Sequence, residues 1–226
     1  MNWLNRWLQR HKDALPEVQL PALDDRPLIT TRFVVVDLET TGLDVRKDRL
    51  LAIGAVAIEN GVICLGDQFE AVLQYPDLDP GDSVLVHEIG AQTLQSGQPP
   101  EDVLRNFLAW AGESVMVAFH VAFDQRVLQR SLKTHLNLKP GHAWLDTAEM
   151  LPAFFPDRAA GEGRLDDWVA AFDLSVSARH NASADAFVTA ELTLAVLSQA
   201  QREGVTSLKA LNDRLKTFRQ LRQIHR

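Results

Sequence analysis

Four acidic residues and one histidine, spread over about 150 residues of this 226-residue chain, have the types and spacing for hydrolysis of a phosphodiester. Asp37 and Glu39 stand in Phe33-Val34-Val35-Val36-Asp37-Leu38-Glu39-Thr40-Thr41-Gly42. Asp124 closes His120-Val121-Ala122-Phe123-Asp124. His180 and Asp185 bracket His180-Asn181-Ala182-Ser183-Ala184-Asp185. Carboxylates are hard oxygen donors and suit Mg²⁺ or Mn²⁺. Four of them converging can hold two such ions. An imidazole beside them, with an ordinary pKa near 6.5, can take a proton from water close to neutral pH.

Each of these residues needs an element to position it. Asp37 and Glu39 are at i and i+2 in a strand, so both point to one face while Leu38 points to the other and packs. A solvated strand end with surface acids is the plainer reading. Val34-Val35-Val36 argues against it, because a buried strand leaves charged groups at its end in need of partners. Asp124 follows a fourth strand and opens a helix. Taken alone, it would only complement the helix dipole. At the end of a strand parallel and adjacent to the first, it falls where ligand sites of α/β sheets gather. Asp185 sits in the first turn of another helix, with His180 in the polar loop before it.

The elements follow from periodicity and turn residues. Strands are predicted over 32–38, 50–59, 62–72, 114–119 and 143–146. Asn60-Gly61 is a hairpin signal between the second and third. Pro76, Pro80 and Gly81 mark a loop. Helices are predicted over 100–110, 123–136, 147–154, 164–172, 183–203 and 206–224. Three antiparallel strands followed by alternating helix and strand predict an α/β fold. Its ribonuclease-H-like mixed five-stranded sheet carries helices on both faces, and right-handed crossovers set the last two strands parallel to the first.

Residues 1–30 precede that fold. Trp3, Leu4, Trp7 and Leu8 form part of an amphipathic helix over 2–14, and Pro16, Pro21 and Pro27 follow as an extended linker. The tryptophans pack on the domain itself, or they dock a protein partner or a second copy. The expected organisation is an N-terminal extension over 1–30, a catalytic domain over 31–203, and a basic helix over 204–226 packed on or extending it.

The single cysteine, Cys64, allows no intramolecular disulfide and reads as a small apolar strand residue. No stretch approaches the roughly 20 apolar residues of a spanning helix, and the first residues are too polar for a secretory signal. A soluble, cytoplasmic protein with no membrane role is expected. The net charge of −7 is unusual for a chain that meets nucleic acid. It is unevenly spread: from Arg202 onward seven Lys/Arg stand against two Asp/Glu, a local +5 that leaves −12 for the rest. An acid-rich metal site accounts for part of that deficit. Arg126, Arg130 and Lys133 share a helix face, and Arg214, Arg219, Arg222 and Arg226 crowd the last helix. Both groups could meet phosphates, or could be solvated faces.

The three acid-bearing segments, in this order and spacing, resemble the exonuclease motifs of the DEDDh family, the DnaQ-like 3′→5′ exonucleases. The resemblance covers about residues 32–199 and is closest to the group of the DNA polymerase III epsilon subunit. It implies that Asp37 bridges two divalent ions, Mg²⁺ or Mn²⁺. It also implies that Glu39 binds one ion and the terminal 3′-hydroxyl, that Asp124 and Asp185 complete the metal shells, and that His180 is the general base. The backbone from Thr40 through Thr41 and Gly42 to Leu43 would hold the terminal nucleotide, with Leu43 as a wedge between bases or an ordinary turn hydrophobe. His87 and His120 match places where relatives approach substrate. The second motif departs from the family at Val121, where Asn is usual. The partner implied is a single-stranded nucleic-acid 3′ end, DNA before RNA, in DNA replication or repair. The alternative is a catalytically weak nucleic-acid-binding or polymerase-associated adaptor.

Overall fold

The computed structural model describes residues 22–79, 81–139, 141–158, 163–176 and 181–224. The predicted N-terminal helix, His180 and Arg226 lie outside these residues. Strands β1 (Phe33–Thr40), β2 (Leu50–Glu59) and β3 (Val62–Val72) form an antiparallel meander. The turn between β2 and β3 uses Asn60 and Gly61 at φ 51° and 74°, the left-handed pair that hairpin geometry asks for. Strands β4 (Val115–Ala118) and β5 (Trp144–Asp146) add to the other edge of β1, both parallel to it. The order is β3-β2-β1-β4-β5, the mixed sheet predicted from the chain.

Helices α1 (Val84–His87), α2 (Ala91–Ser96) and α3 (Pro100–Ala111) separate β3 from β4. Helix α4 (Val121–Leu136) joins β4 to β5. Helices α5 (Thr147–Phe154), α6 (Leu165–Ala171), α7 (Ala182–Arg202) and α8 (Leu208–Ile224) follow. The stretch read as loop around Pro76–Gly81 therefore leads into two short helices. At four and six residues they are too short to show a helical period, and Pro and Gly dominate the signal around them. Among the described residues no helix is long and apolar enough to cross a membrane.

Strand parity divides the core. Val34, Val36 and Leu38 of β1 pack with Met116 and Ala118 of β4 against Phe107 of α3 and Leu128 and Leu132 of α4. Phe33 and Val35 face the opposite side, with Met150 and Leu151 of α5, Leu192 and Val196 of α7, and Leu208, Leu211 and Leu215 of α8. The last helix thus buries its apolar stripe on the domain. Its end does not follow: Leu221 and Ile224 are exposed.

At the start of β1 a polar clasp ties three strands. The guanidinium of half-buried Arg32 bonds Glu59 of β2 and reaches Asp67 of β3 at 2.6 Å. It also lies 5.2 Å over the ring of Trp110, whose Nε1–H donates to Asp67 at 2.6 Å.

Candidate active site

The opposite end of β1 carries the acids. Asp37 and Glu39 continue the parity of Phe33 and Val35, so they emerge on the side of the sheet covered by α7. β4 pairs with β1 only from Phe33 to Val35, so the far half of β1 runs past the end of its neighbour. The exposed edge is taken up by Asp124, in the first turn of α4, whose carboxylate accepts the backbone N–H of Leu38. Asp124 is buried. Burial pushes its carboxyl up to about 8, and the negative charges of Asp146 and Glu39 add to the rise against the lowering effect of backbone N–H donors.

Asp185 is also buried, in the first turn of α7. Asn181 caps that helix by accepting the Ala184 N–H at 3.1 Å. The start of α7 rests on β2 at Gly54, the strand partner of Asp37. A Cβ on Gly54 would lie 2.2 Å from the carbonyl carbon of Ala182 and 2.3 Å from the Ser183 nitrogen. Only a residue without a side chain lets helix backbone descend onto strand backbone there. Asp185, two to three residues on, is thereby brought to the side of the sheet where Asp37 and Glu39 emerge. Asp37, Glu39 and Asp185 each have polar or electrostatic partners. Among the described residues, no three His, Cys, Asp or Glu side chains are drawn into a closed ligand cluster. The chemistry of the set nevertheless fits a hard cation: Asp124 is buried with like charges beside it, and a bound cation would offset the repulsion that raises its pKa.

The loop after β1 is rigidly organised. Asp48 accepts the Thr41 hydroxyl at 3.0 Å and the Asp44 N–H at 2.7 Å. The Thr41 hydroxyl in turn accepts the Arg49 N–H at 2.9 Å, and the Thr40 hydroxyl donates to the Gly42 carbonyl at 2.7 Å. Leu43 is left 87% exposed at the tip of this braced loop. Just before it, the β1–β2 register slips between Glu39 and Thr40, leaving Leu51 as an extra residue. Such a bulge bends a strand end. Leu51 packs with Ile89 and Leu94, which seats the segment holding α1 and α2 against the strand.

The two histidines of that rim differ. His87 is buried, accepts the Ile89 N–H at its Nδ1 at 3.1 Å, and sits by the Thr40 backbone. Its Nε2 has no partner of hydrogen-bonding geometry among the described residues, and burial lowers its pKa. It supports the loop from beneath. His120 is exposed, in a left-handed conformation (φ 62°) that caps α4, and its N–H donates to Asp146 at 3.0 Å. Asp146 also accepts the Ala148 N–H at 3.0 Å and so caps α5. Val121, where the family motif usually has Asn, is the first residue of α4.

Sequence reasoning did not single out Gly54 or Asp48. Gly54 had a signal, an isolated glycine within the apolar run Ile53-Gly54-Ala55, which marks close backbone approach. Asp48 had none beyond its place in a polar turn.

A mixed five-stranded sheet with acids at the end of its first strand and on two helices that meet there is the architecture of ribonuclease-H-like exonucleases. The chain belongs to the RNase T exonuclease family, whose profile matches residues 34–193. The PolC-type DNA polymerase III of Thermotoga maritima is 30% identical over 188 residues, covering 83% of this chain and 13% of the polymerase. That of Bacillus subtilis is 29% identical over 184 residues, covering 81% of this chain and 12% of the polymerase. This chain therefore spans about an eighth of the length of those curated relatives. Escherichia coli exonuclease I, solved with a dT13 oligonucleotide, superposes with TM-score 0.65 at 18% identity, over 76% of this chain and 42% of that one. Exonuclease X, solved with 5′-overhanging duplex DNA, gives 0.61 at 20% identity over 80% of this chain and 99% of that one. At these identities the likeness is one of fold.

Proposed function

We propose that this chain is a 3′→5′ exonuclease that hydrolyses the terminal phosphodiester of single-stranded DNA and releases nucleoside 5′-monophosphates. The observation that carries the reading is the meeting of β1, α4 and α7 at one end of the sheet, each bringing acid residues of the family motifs. Family membership supports exonuclease chemistry. The polymerase names of the sequence relatives favour DNA over RNA.

In this reading Asp37, Glu39, Asp124 and Asp185 hold two divalent ions. When bound, Mg²⁺ or Mn²⁺ supplies charge stabilisation at the attacking and leaving oxygens. His180 takes the proton from the attacking water. The braced Thr40–Leu43 backbone holds the terminal nucleotide, and Leu43 contacts the base stack. His120 faces the strand, while His87 fixes the loop. Fraying favours single strands, because terminal bases must leave the stack to reach the acids.

The test is degradation of a single-stranded DNA oligonucleotide carrying a 5′ label, with Mg²⁺ or Mn²⁺, against Asp37→Ala. A ladder shortened from the 3′ end, lost in the variant and in chelator, is expected. Equal, slow degradation by both proteins would overturn the enzyme reading and leave a nucleic-acid-binding adaptor. An RNA oligonucleotide on the same preparation tests the preference for DNA.

A further inference from the structure

A groove of about 290 Å³ opens between α5 and α8, beside the acids. His120 and Asp146 form the wall it shares with them: their backbone-to-carboxylate bond spans the ends of β4 and β5, and Asp146 is close enough to raise the pKa of Asp124. β5 is two strands from β1, about 10 Å at ordinary strand spacing, a short span for an oligonucleotide. The helices that line the groove belong to the same sheet side as Asp37 and Glu39.

The groove contains two acids, and both have partners within the fold. Asp146 accepts two backbone N–H groups. Glu149 is gripped by Arg219, with one contact at 2.7 Å, which also fastens α8 to the start of α5. Arg222, one turn further along α8, is exposed and lines the groove. Its guanidinium lies 5.7 Å from the Phe218 ring, and among the described residues no carboxylate is within ion-pair distance of it. In formal charge Asp146 and Glu149 balance Arg219 and Arg222, and Arg222 is the lining cation that no carboxylate engages among the described residues. Asn212, Arg219 and Arg222 all lie beyond residue 193, where the family match ends.

We propose that this groove binds the sugar–phosphate backbone of the strand whose 3′ end enters the active site, with Arg222 on a phosphate upstream of the scissile one. The proposal rests on the exonuclease reading, and it assigns α8 to substrate affinity as well as to the core. Arg219 is a positioning residue that holds the groove wall.

The experiment compares wild type, Arg222→Glu and Arg222→Lys on a single-stranded DNA length series and on a mononucleotide aryl ester too short to reach the groove. Binding of a labelled oligonucleotide is followed by anisotropy across salt concentrations. For Arg222→Glu, KM on oligonucleotides rises about 10-fold with kcat unchanged, hydrolysis of the ester is unaffected, and the salt slope of binding falls by about one. Arg222→Lys stays near wild type. Equal KM for wild type and Arg222→Glu on long substrates, or equal losses on the ester, overturns the groove. Failure of the exonuclease reading is separately visible: wild type then cleaves neither substrate, and the anisotropy slope alone decides whether Arg222 contacts phosphate.

Discussion

The two ends of β1 handle charge in opposite ways. At its start, Glu59 and Asp67 are brought together across strands and matched by Arg32 from the same chain, with Trp110 closing the network. At its far end, Asp124 is buried beside Glu39 and Asp146, and its partners are backbone N–H groups. The first arrangement is complete within the fold. The second concentrates negative charge that a cation from solution would balance. A buried charge matched by the protein serves the sheet; one held beside its like serves a ligand.

The sharpest way to break the contrast is Asp124→Asn. It keeps an acceptor for the Leu38 N–H and removes a carboxylate. Exonuclease activity on labelled single-stranded DNA falls by at least about 10³-fold, the several kcal/mol expected of charge stabilisation by metal ions. Retention of more than about a tenth of wild-type rate would remove Asp124 from the metal shell. Gly54→Ala ranks next. The added methyl meets the start of α7, displaces Asp185, and lowers kcat about 10²-fold while costing about 1–3 kcal/mol in a urea melt. A loss of rate no larger than the stability loss explains would uncouple Gly54 from the site.

Arg32→Met tests the other end. Removing the guanidinium leaves Glu59 and Asp67 facing each other, and stability falls by about 2 kcal/mol in denaturant. The exonuclease rate at 25 °C stays within about twofold of wild type, because catalysis does not draw on the clasp. A large rate loss without unfolding would show that the two ends are coupled.

The smallest effect is one of pH. In metal-free protein the Asp124 carboxyl, raised to about 8 from 3.8, stays protonated through neutral pH. Its contribution to stability is complete below about pH 4 and is lost as pH rises through about 8. Thermal melts in chelator should therefore show metal-free protein losing stability across that window. Mg²⁺ flattens the loss, and so does Asp124→Asn. An unchanged slope in the variant assigns the pH dependence elsewhere.

Much of this was legible in the chain. The i, i+2 spacing of Asp37 and Glu39 after three valines fixes both strand and face, because side-chain alternation is a local property. Asn60-Gly61 likewise dictates its own turn. What was not legible depends on contacts between distant segments. Arg214 and Arg219 read as available for phosphate, yet Arg219 is held by Glu149, and Arg214 approaches Glu203 at 3.3 Å. Only packing α8 on α5 separates Arg222 from them. Asp48 is invisible for the same reason: its value lies in bracing Thr41 and Asp44 once the loop has closed.

The seat of α7 on Gly54 sets a spacing by main chain touching main chain, with no rotamer in between. Such a stop limits approach in one direction only: the buried side chains of α7 press the helix down, and the glycine decides how far down it goes. Asp185 therefore owes its distance from Asp37 to both, a floor made of main chain and a load made of Leu192 and Val196.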